Sequence, residues 1–380
     1  MPVFSTLPPL SLYVHLPWCV RKCPYCDFNS HQAGEELPEA AYVDALLHDL
    51  EEELPRVWGR RVQTVFIGGG TPSLFSAAAI ERLLAGIRAR IALSSNAEIT
   101  LEANPGTLDN SRLAAFRAAG INRLSLGIQS FDDGCLQRLG RIHDAAQARA
   151  AFEAARRGGF DNINIDLMFA LPGQTLAQAR RDLASAIALQ PEHISYYQLT
   201  LEPNTWFHRH PPSLPDEDTG WAIQQQGLEL LEQAGYEQYE VSAFARETYR
   251  CKHNLNYWRF GDYLGIGAGA HGKLSDAHHG HIERSWKTRH PQAYLQAPAR
   301  RQRLLDEHDI VLEFMMNALR LKQGVDVSLF SRHTGLDEAL LHQACEQALQ
   351  RGLLQPLESG RLCTSAQGWR FLDDLLSLFC

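Results

Sequence analysis

The chain has 380 residues, a formal net charge of -8 and an apolar share of 45%. That length exceeds what a single core usually organises, so more than one domain is expected. The acidic balance excludes a surface built to neutralise nucleic-acid phosphates. No stretch approaches the roughly 18 apolar residues of a membrane span, and residues 1–10 lack the basic and apolar pattern of a signal peptide. A reducing, cytoplasmic setting is therefore expected, with no transmembrane segment; transient membrane association is left undecided. In that setting the eight cysteines call for an account other than disulfides.

The first two thirds of the chain alternates short apolar runs with amphipathic helical patterns. Strands are predicted at Leu12–His15, Thr64–Ile67, Glu98–Leu101, Arg123–Gly127, Asn162–Leu167 and His193–Leu199, all rich in Val, Ile or Tyr. Helices are predicted between them at Glu39–Leu54, Ala77–Ala89, Ser111–Ala119, Ala145–Arg157 and Leu176–Leu189, with Gly120 and Gly158 as C-caps and Thr107 and Asp144 near N-caps. Such alternation implies right-handed crossovers and a parallel sheet. About six units are too few for an eight-fold barrel, so the expected fold is α/β with an open or partial barrel. From Pro203 the alternation breaks. A helix is expected near Trp221–Ala234, Cys251–Gly272 fits neither strand nor helix, and helical patterns return at Asp309–Leu321 and Asp337–Arg351. A small hairpin at Leu353–Leu357 and Arg361–Thr364 then suggests a winged-helix-like module. The expected division is a core over residues 1–235, an aromatic and glycine-rich connecting segment over 236–300, and a C-terminal module over 301–380.

Polar or glycine-rich clusters follow the predicted strands: a cysteine loop, Gly68-Gly69-Gly70-Thr71-Pro72, Glu102-Ala103-Asn104-Pro105, Gln129-Ser130 and Asp166. In parallel α/β folds the ligand site lies beyond the carboxyl ends of the strands, so these clusters should face one mouth.

The cysteine loop reads Cys19-Val20-Arg21-Lys22-Cys23-Pro24-Tyr25-Cys26-Asp27-Phe28. Three thiolates so closely spaced can reach three irons of one 4Fe-4S cubane. The fourth iron then stays open to an exogenous ligand. S-adenosylmethionine can chelate it through its amino and carboxylate groups, and one-electron transfer would then cleave a C–S bond to give a 5′-deoxyadenosyl radical. The alternative is a zinc site completed by His15 or His31. It is disfavoured because zinc cysteines usually come as two separated C-x-x-C pairs, and no second pair exists. The remaining five cysteines read as ordinary packed or surface thiols.

These residues resemble the radical S-adenosylmethionine superfamily, whose CxxxCxxC loop follows the first strand of a partial (β/α)6 TIM-like barrel. Tyr13-Val14-His15-Leu16-Pro17-Trp18, Gly68 to Pro72, and Asn164-Ile165-Asp166-Leu167-Met168 with Leu171-Pro172-Gly173 are similar to the oxygen-independent coproporphyrinogen III oxidase group, and most similar to its heme-chaperone branch. The resemblance implies that Gly69, Gly70 and Thr71 meet the methionine moiety of S-adenosylmethionine. It further implies that Glu102, Gln129, Arg141 and Asp166 contact that cofactor, that Tyr13 packs near the cluster, and that Thr200 approaches the adenosine. Ala170 departs from the glycine usual before Leu-Pro. From the residues alone, three glycines allow close backbone approach and can present N–H groups to an anion.

His253-Asn254-Leu255-Asn256-Tyr257-Trp258 reads by itself as a packed structural histidine among aromatics. Its HNxxYW form resembles the heme-chaperone signature, which implies that His253, Tyr257 and Trp258 contact heme: histidine can ligate iron, and Tyr and Trp offer flat apolar surface. His278-His279-Gly280-His281 reads as a solvated loop.

Two functions are carried forward. One is a heme chaperone that binds a 4Fe-4S cluster, S-adenosylmethionine and heme and delivers heme to an acceptor protein, whose identity the sequence does not give. The other is an oxygen-independent coproporphyrinogen III oxidase that forms protoporphyrinogen IX by radical chemistry. The resemblance implies that the oxidase proper has a further cysteine two residues after the third cluster cysteine, where this chain has Phe28. It also implies a longer N-terminal cover, whereas about a dozen residues precede the first strand here. Both favour the chaperone. A nucleic-acid-modifying enzyme is disfavoured for want of a basic face.

Overall fold

Apolar runs buried on both faces are the expected pattern of parallel strands covered by helices, and they fold that way in the computed structural model, which describes residues 2–380. Six β/α units follow in order: β1 (Leu10–Leu16) with α1 (Glu39–Glu53), β2 (Val62–Gly69) with α2 (Ala77–Arg90), β3 (Leu93–Ala103) with α3 (Asn110–Ala119), β4 (Arg123–Gln129) with α4 (Ala145–Arg157), β5 (Ile163–Phe169) with α5 (Leu176–Ala188), and β6 (His193–Gln198) with α6 (Glu217–Gln233). β1 to β6 lie side by side in chain order, all parallel. The sheet ends in unpaired edges, so the barrel is partial.

Local chemistry sets the helix limits. Asp144 and Thr175 each form a reciprocal capping box, with Gln147 and Gln178 respectively, worth about 1 kcal/mol per cap. Gly120 ends α3 in a left-handed conformation at φ 107°. The N-cap of α3 is Asp109, whose carboxylate accepts from Arg112 N; Thr107 lies instead at the end of a short 3-10 turn, Pro105–Thr107.

Cys251–Gly272, expected to be irregular, contains α7 (Lys252–Trp258) and β8 (Asp262–Ile266). β7 (Ala243–Ala245) pairs antiparallel with β6, and Glu237–Gln238 pairs beyond it at that edge of the sheet. β8 adds a seventh parallel strand beside β1 at the other side, and β9 (His271–Asp276), β10 (His281–Lys287) and β11 (Arg300–Leu304) continue outward as antiparallel strands. Glycines masked this strand: a Cβ on Gly265 would lie 1.9 Å from His271 O, so the close pairing of β8 and β9 requires glycine there. β10 is tied to α1 by a buried ion cluster in which Lys287 Nζ lies 2.5 Å from Asp49 and 2.6 Å from Glu53.

The C-terminal helices α8 (Glu307–Ala318), α9 (Ser328–Thr334) and α10 (Glu338–Gln350) enclose a second core around Phe314, Phe330 and Leu341, all fully buried. The expected hairpin is reduced to a bridge between Leu354 and Thr364, while Arg361–Leu362 pairs with Val325–Asp326. This core reaches Phe260 through an edge contact with Phe314, centroids 5.8 Å apart. No helix among the described residues is long and apolar enough to cross a membrane.

Candidate functional site

At the carboxyl ends of the strands lies a cavity of about 430 Å³, lined by Cys19, Cys23, Cys26, Gly69, Gly70, Thr71, Glu102, Gln129, Arg141, Asp166 and Thr200. Residues from seven separate stretches of chain thus share one space. Tyr25, Ser125, Phe28 and Tyr197 also line it; none was singled out as a ligand contact from sequence, although Tyr25 and Phe28 stand in and beside the cysteine motif and could have been.

The cysteine loop is held as an arch. Trp18 and Cys19 bridge in parallel to His31 and Gln32, and Lys22 Nζ donates to the carbonyls of Phe28 and Ser30 at 3.0 and 3.2 Å. Trp18 packs edge-on against Tyr42, anchoring the arch on α1. All three thiols are free and half-buried. Burial pushes the Cys19 and Cys26 thiols up; a bound metal reverses that by stabilising thiolate.

The donor set separates a cluster from a single ion. Zinc–sulfur bonds of about 2.3 Å would draw the sulfurs to within about 4 Å of one another. Among the described residues, donor atoms all within 4.8 Å of one another occur only at Asp276, His279 and His281, far along the chain from the loop. The histidines proposed for zinc are occupied elsewhere: His15 Nδ1 meets Tyr13 Oη and its Nε2 meets Asn29 O, both at 2.9 Å, while His31 Nε2 meets Asn29 Oδ1. The residues present fit a cluster.

The glycine turn works by proximity. A Cβ on Gly70 would lie 2.6 Å from Trp18 O, and one on Gly69, at φ +117°, would strike the His15 ring at 2.7 Å. The expected anion-binding row of N–H groups is not what forms. Gly69 N donates to Glu102 Oε2 at 3.1 Å, Gly70 N to Leu16 O and Thr71 N to Trp18 O. These donors fasten β2 to the cysteine arch.

Two carboxyl groups lie deep in the cavity. Burial, reinforced by the Asp166 charge, pushes Glu102 up to about 8, so near neutral pH it is mostly protonated and can donate as well as accept. Asp166 is also raised by burial and is held by Asn164 Nδ2 at 2.7 Å and Ser125 Oγ at 3.2 Å. Arg141 is half-buried and turned into the cavity: its Nη1 lies 3.6 Å from Cys23 Sγ and its Nη2 donates to Gly127 O at 2.6 Å. Gln129 sits at a register shift with φ 71° and accepts from Tyr197 Oη at 2.7 Å.

A second cavity, about 950 Å³, adjoins the first and shares Phe28, Gly69 and Glu102 with it. Tyr13, Tyr257 and Trp258 line this space rather than the first. His253 lines neither. It is buried, with Nδ1 against Thr64 Oγ1 at 2.7 Å and Nε2 against Tyr257 Oη at 2.8 Å; its part is to hold Tyr257 in place. The His278–His281 stretch is the exposed turn between β9 and β10, where Asp276 accepts from the N–H groups of His278 and His279.

The Radical SAM superfamily profile matches residues 13–186 and the HemN C-terminal domain profile matches residues 305–371. Fold and site together therefore define a radical S-adenosylmethionine protein with a HemN-type C-terminal domain. A solved structure of the coproporphyrinogen III oxidase HemN from Escherichia coli superposes with a TM-score of 0.82 at 25% identity, covering 98% of this chain and 90% of that one. The heme chaperone HemW of Escherichia coli (strain K12) is 50% identical over 374 residues, 98% of each chain. The radical S-adenosyl methionine domain-containing protein 1, mitochondrial, of Bos taurus is 36% identical, covering 96% of this chain and 86% of its own. The chain belongs to the heme chaperone HemW family.

Proposed function

We propose that this chain is a heme chaperone: it carries a 4Fe-4S cluster on Cys19, Cys23 and Cys26, binds S-adenosylmethionine beside it, holds heme in the second cavity and passes heme to an acceptor protein. The observation that carries the reading is the second cavity, which is large, walled by Tyr257, Trp258, Tyr263 and Trp286, and bordered by Arg284 and Arg289. Flat aromatic walls suit a macrocycle and guanidinium groups suit propionates.

When bound, the cluster supplies one-electron chemistry to S-adenosylmethionine. The protein's own work is positional. The Gly69–Thr71 turn lets a ligand approach the backbone closely, Glu102 and Asp166 offer hydrogen-bonding partners to ribose hydroxyls or an ammonium group, and Arg141 sets a positive charge beside the Cys23 sulfur.

Anaerobically reconstituted protein is expected to contain about one cluster per chain, to bind one heme on hemin titration, and to transfer it to a heme-depleted acceptor. Cys23→Ser should abolish the cluster. A flat hemin titration would overturn the heme assignment. Conversion of coproporphyrinogen III to protoporphyrinogen IX at useful rates would assign the chain to the oxidase instead.

A further inference from the structure

Resting on the heme reading above, we infer that the protein ligand to the heme iron is His271, at the mouth of the second cavity. An iron ligand must present an unshared electron pair to the space that the macrocycle occupies. Few side chains around this cavity can. No cysteine lines it. Two histidines do, His15 and His271. His15 is buried and spends both ring nitrogens on Tyr13 and Asn29. The phenols are likewise engaged: Tyr257 Oη meets His253, Tyr263 Oη accepts from Arg284, and Tyr13 Oη meets His15. Lys273 is buried in an ion pair with Asp262 at 3.0 Å.

His271 differs from all of these. It opens β9, its side chain is exposed, and it makes no side-chain hydrogen bond among the described residues. In the register of β9 and β10 it stands directly opposite Trp286, another wall residue. Partial desolvation at the cavity wall, and then the neighbouring Arg284 and Arg289 charges, lower its proton affinity, which favours the neutral imidazole that iron ligation requires. Arg289 is exposed beside it and forms no ion pair among the described residues, leaving a cation for a propionate, whereas Arg284 is already held by Glu313 at 2.7 Å. Trp258 Nε1 is buried with no acceptor, a second polar group of this cavity left unpaired.

The macrocycle would therefore lie between Tyr257, Tyr263 and Trp286, with its iron toward His271 and a propionate toward Arg289. His253 keeps the supporting place that its two hydrogen bonds define.

The test uses the full, cluster-loaded chain, with bound heme counted as pyridine hemochrome and ligation read by difference absorption and electron paramagnetic resonance. Wild type, His271→Ala, His253→Gln and the surface control His278→Ala are compared. His271→Ala should lose the nitrogen-ligated heme signature and bind hemin about tenfold more weakly, equivalent to about 1.4 kcal/mol. Added imidazole should restore the wild-type spectrum, which a folding defect would not allow. His278→Ala should match wild type, and His253→Gln should keep the signature. If His271→Ala binds heme with unchanged spectrum and affinity, or if only His253→Gln loses ligation, the assignment to His271 is wrong while the heme reading stands. If wild type binds no heme, the heme reading itself fails.

Discussion

Ala170 sits just past the end of β5 with φ 53°, a conformation that costs an L-residue with a Cβ about 1–2 kcal/mol. Glycine removes that cost but frees the unfolded chain by about 0.4–1 kcal/mol. Ala170 is also buried in the core, and losing its methyl costs about 0.8 kcal/mol. Ala170→Gly should thus be close to neutral, within about 0.5 kcal/mol and read as a little-changed thermal midpoint, where an ordinary buried Ala→Gly change costs more; a fall in stability of about 2 kcal/mol would mean that the backbone there is not strained. The departure from the usual glycine is visible in the sequence; its physical content is not, because a positive φ leaves no trace in the residue's own identity. His253 makes the same point. Its place in an aromatic motif suggested contact with heme, but a tilted ring contact with Phe66 and bonds to Thr64 and Tyr257 give it an interior role that only tertiary structure reveals. Burial, and secondarily the Arg123 charge, lowers its pKa to about 3 from 6.5. The unfolded chain then binds the proton more readily, so this contribution to stability is complete above pH 6.5 and is lost as pH falls toward 3, by at most about 1.4 kcal/mol per pH unit. The stability gap between wild type and His253→Gln should narrow by about 1 kcal/mol between pH 7.5 and pH 5.5 in denaturant titrations of heme-free protein. A constant gap would show that His253 is not held neutral.

At the scale of elements, the six β/α units were legible because each strand is a continuous apolar run and each helix carries its own caps. What escaped was β8, which Gly265 within it and Gly261 and Gly267 on either side disguise, and the direction in which the glycine turn spends its N–H groups. Those donors join β2 to the cysteine arch, and that junction is tight. A methyl group at Gly70 would press on the backbone of Pro17 and Trp18 at 2.6–2.8 Å, where no flexible side chain can yield. Gly70→Ala should leave the sheet folded yet displace the arch, with iron and sulfide falling well below one cluster per chain after reconstitution. Gly220→Ala is the control: it lies within α6 with no atom within 4 Å of its Cβ position, and should load fully. Equal loading of both variants would mean that the arch does not depend on this contact.

Over the whole molecule, the cluster cavity could be anticipated from clusters at strand ends, whereas the second cavity could not. Its walls come from β1, α7, β8, β9, β10 and α8, among others, joined by contacts between residues far apart in the chain. The C-terminal core braces this wall from behind. Phe314 supports Phe260, Glu313 holds Arg284 at 2.7 Å, and Arg320 lies 4.4 Å over Trp258. Phe260, Arg284 and Trp258 all line the cavity, so the module's packing and the heme site are one mechanical system. Phe314→Leu keeps an apolar side chain but loses the edge contact to Phe260, at a cost of about 1–1.5 kcal/mol. Two effects should appear together: a lower thermal midpoint, and a weaker hemin affinity measured well below that midpoint, where the chain is folded. Binding of S-adenosylhomocysteine to the cluster cavity should stay at the wild-type level, because none of its walls comes from α8. Loss of stability with unaltered hemin affinity would mean that the C-terminal core merely adds mass to the fold and does not shape the heme wall.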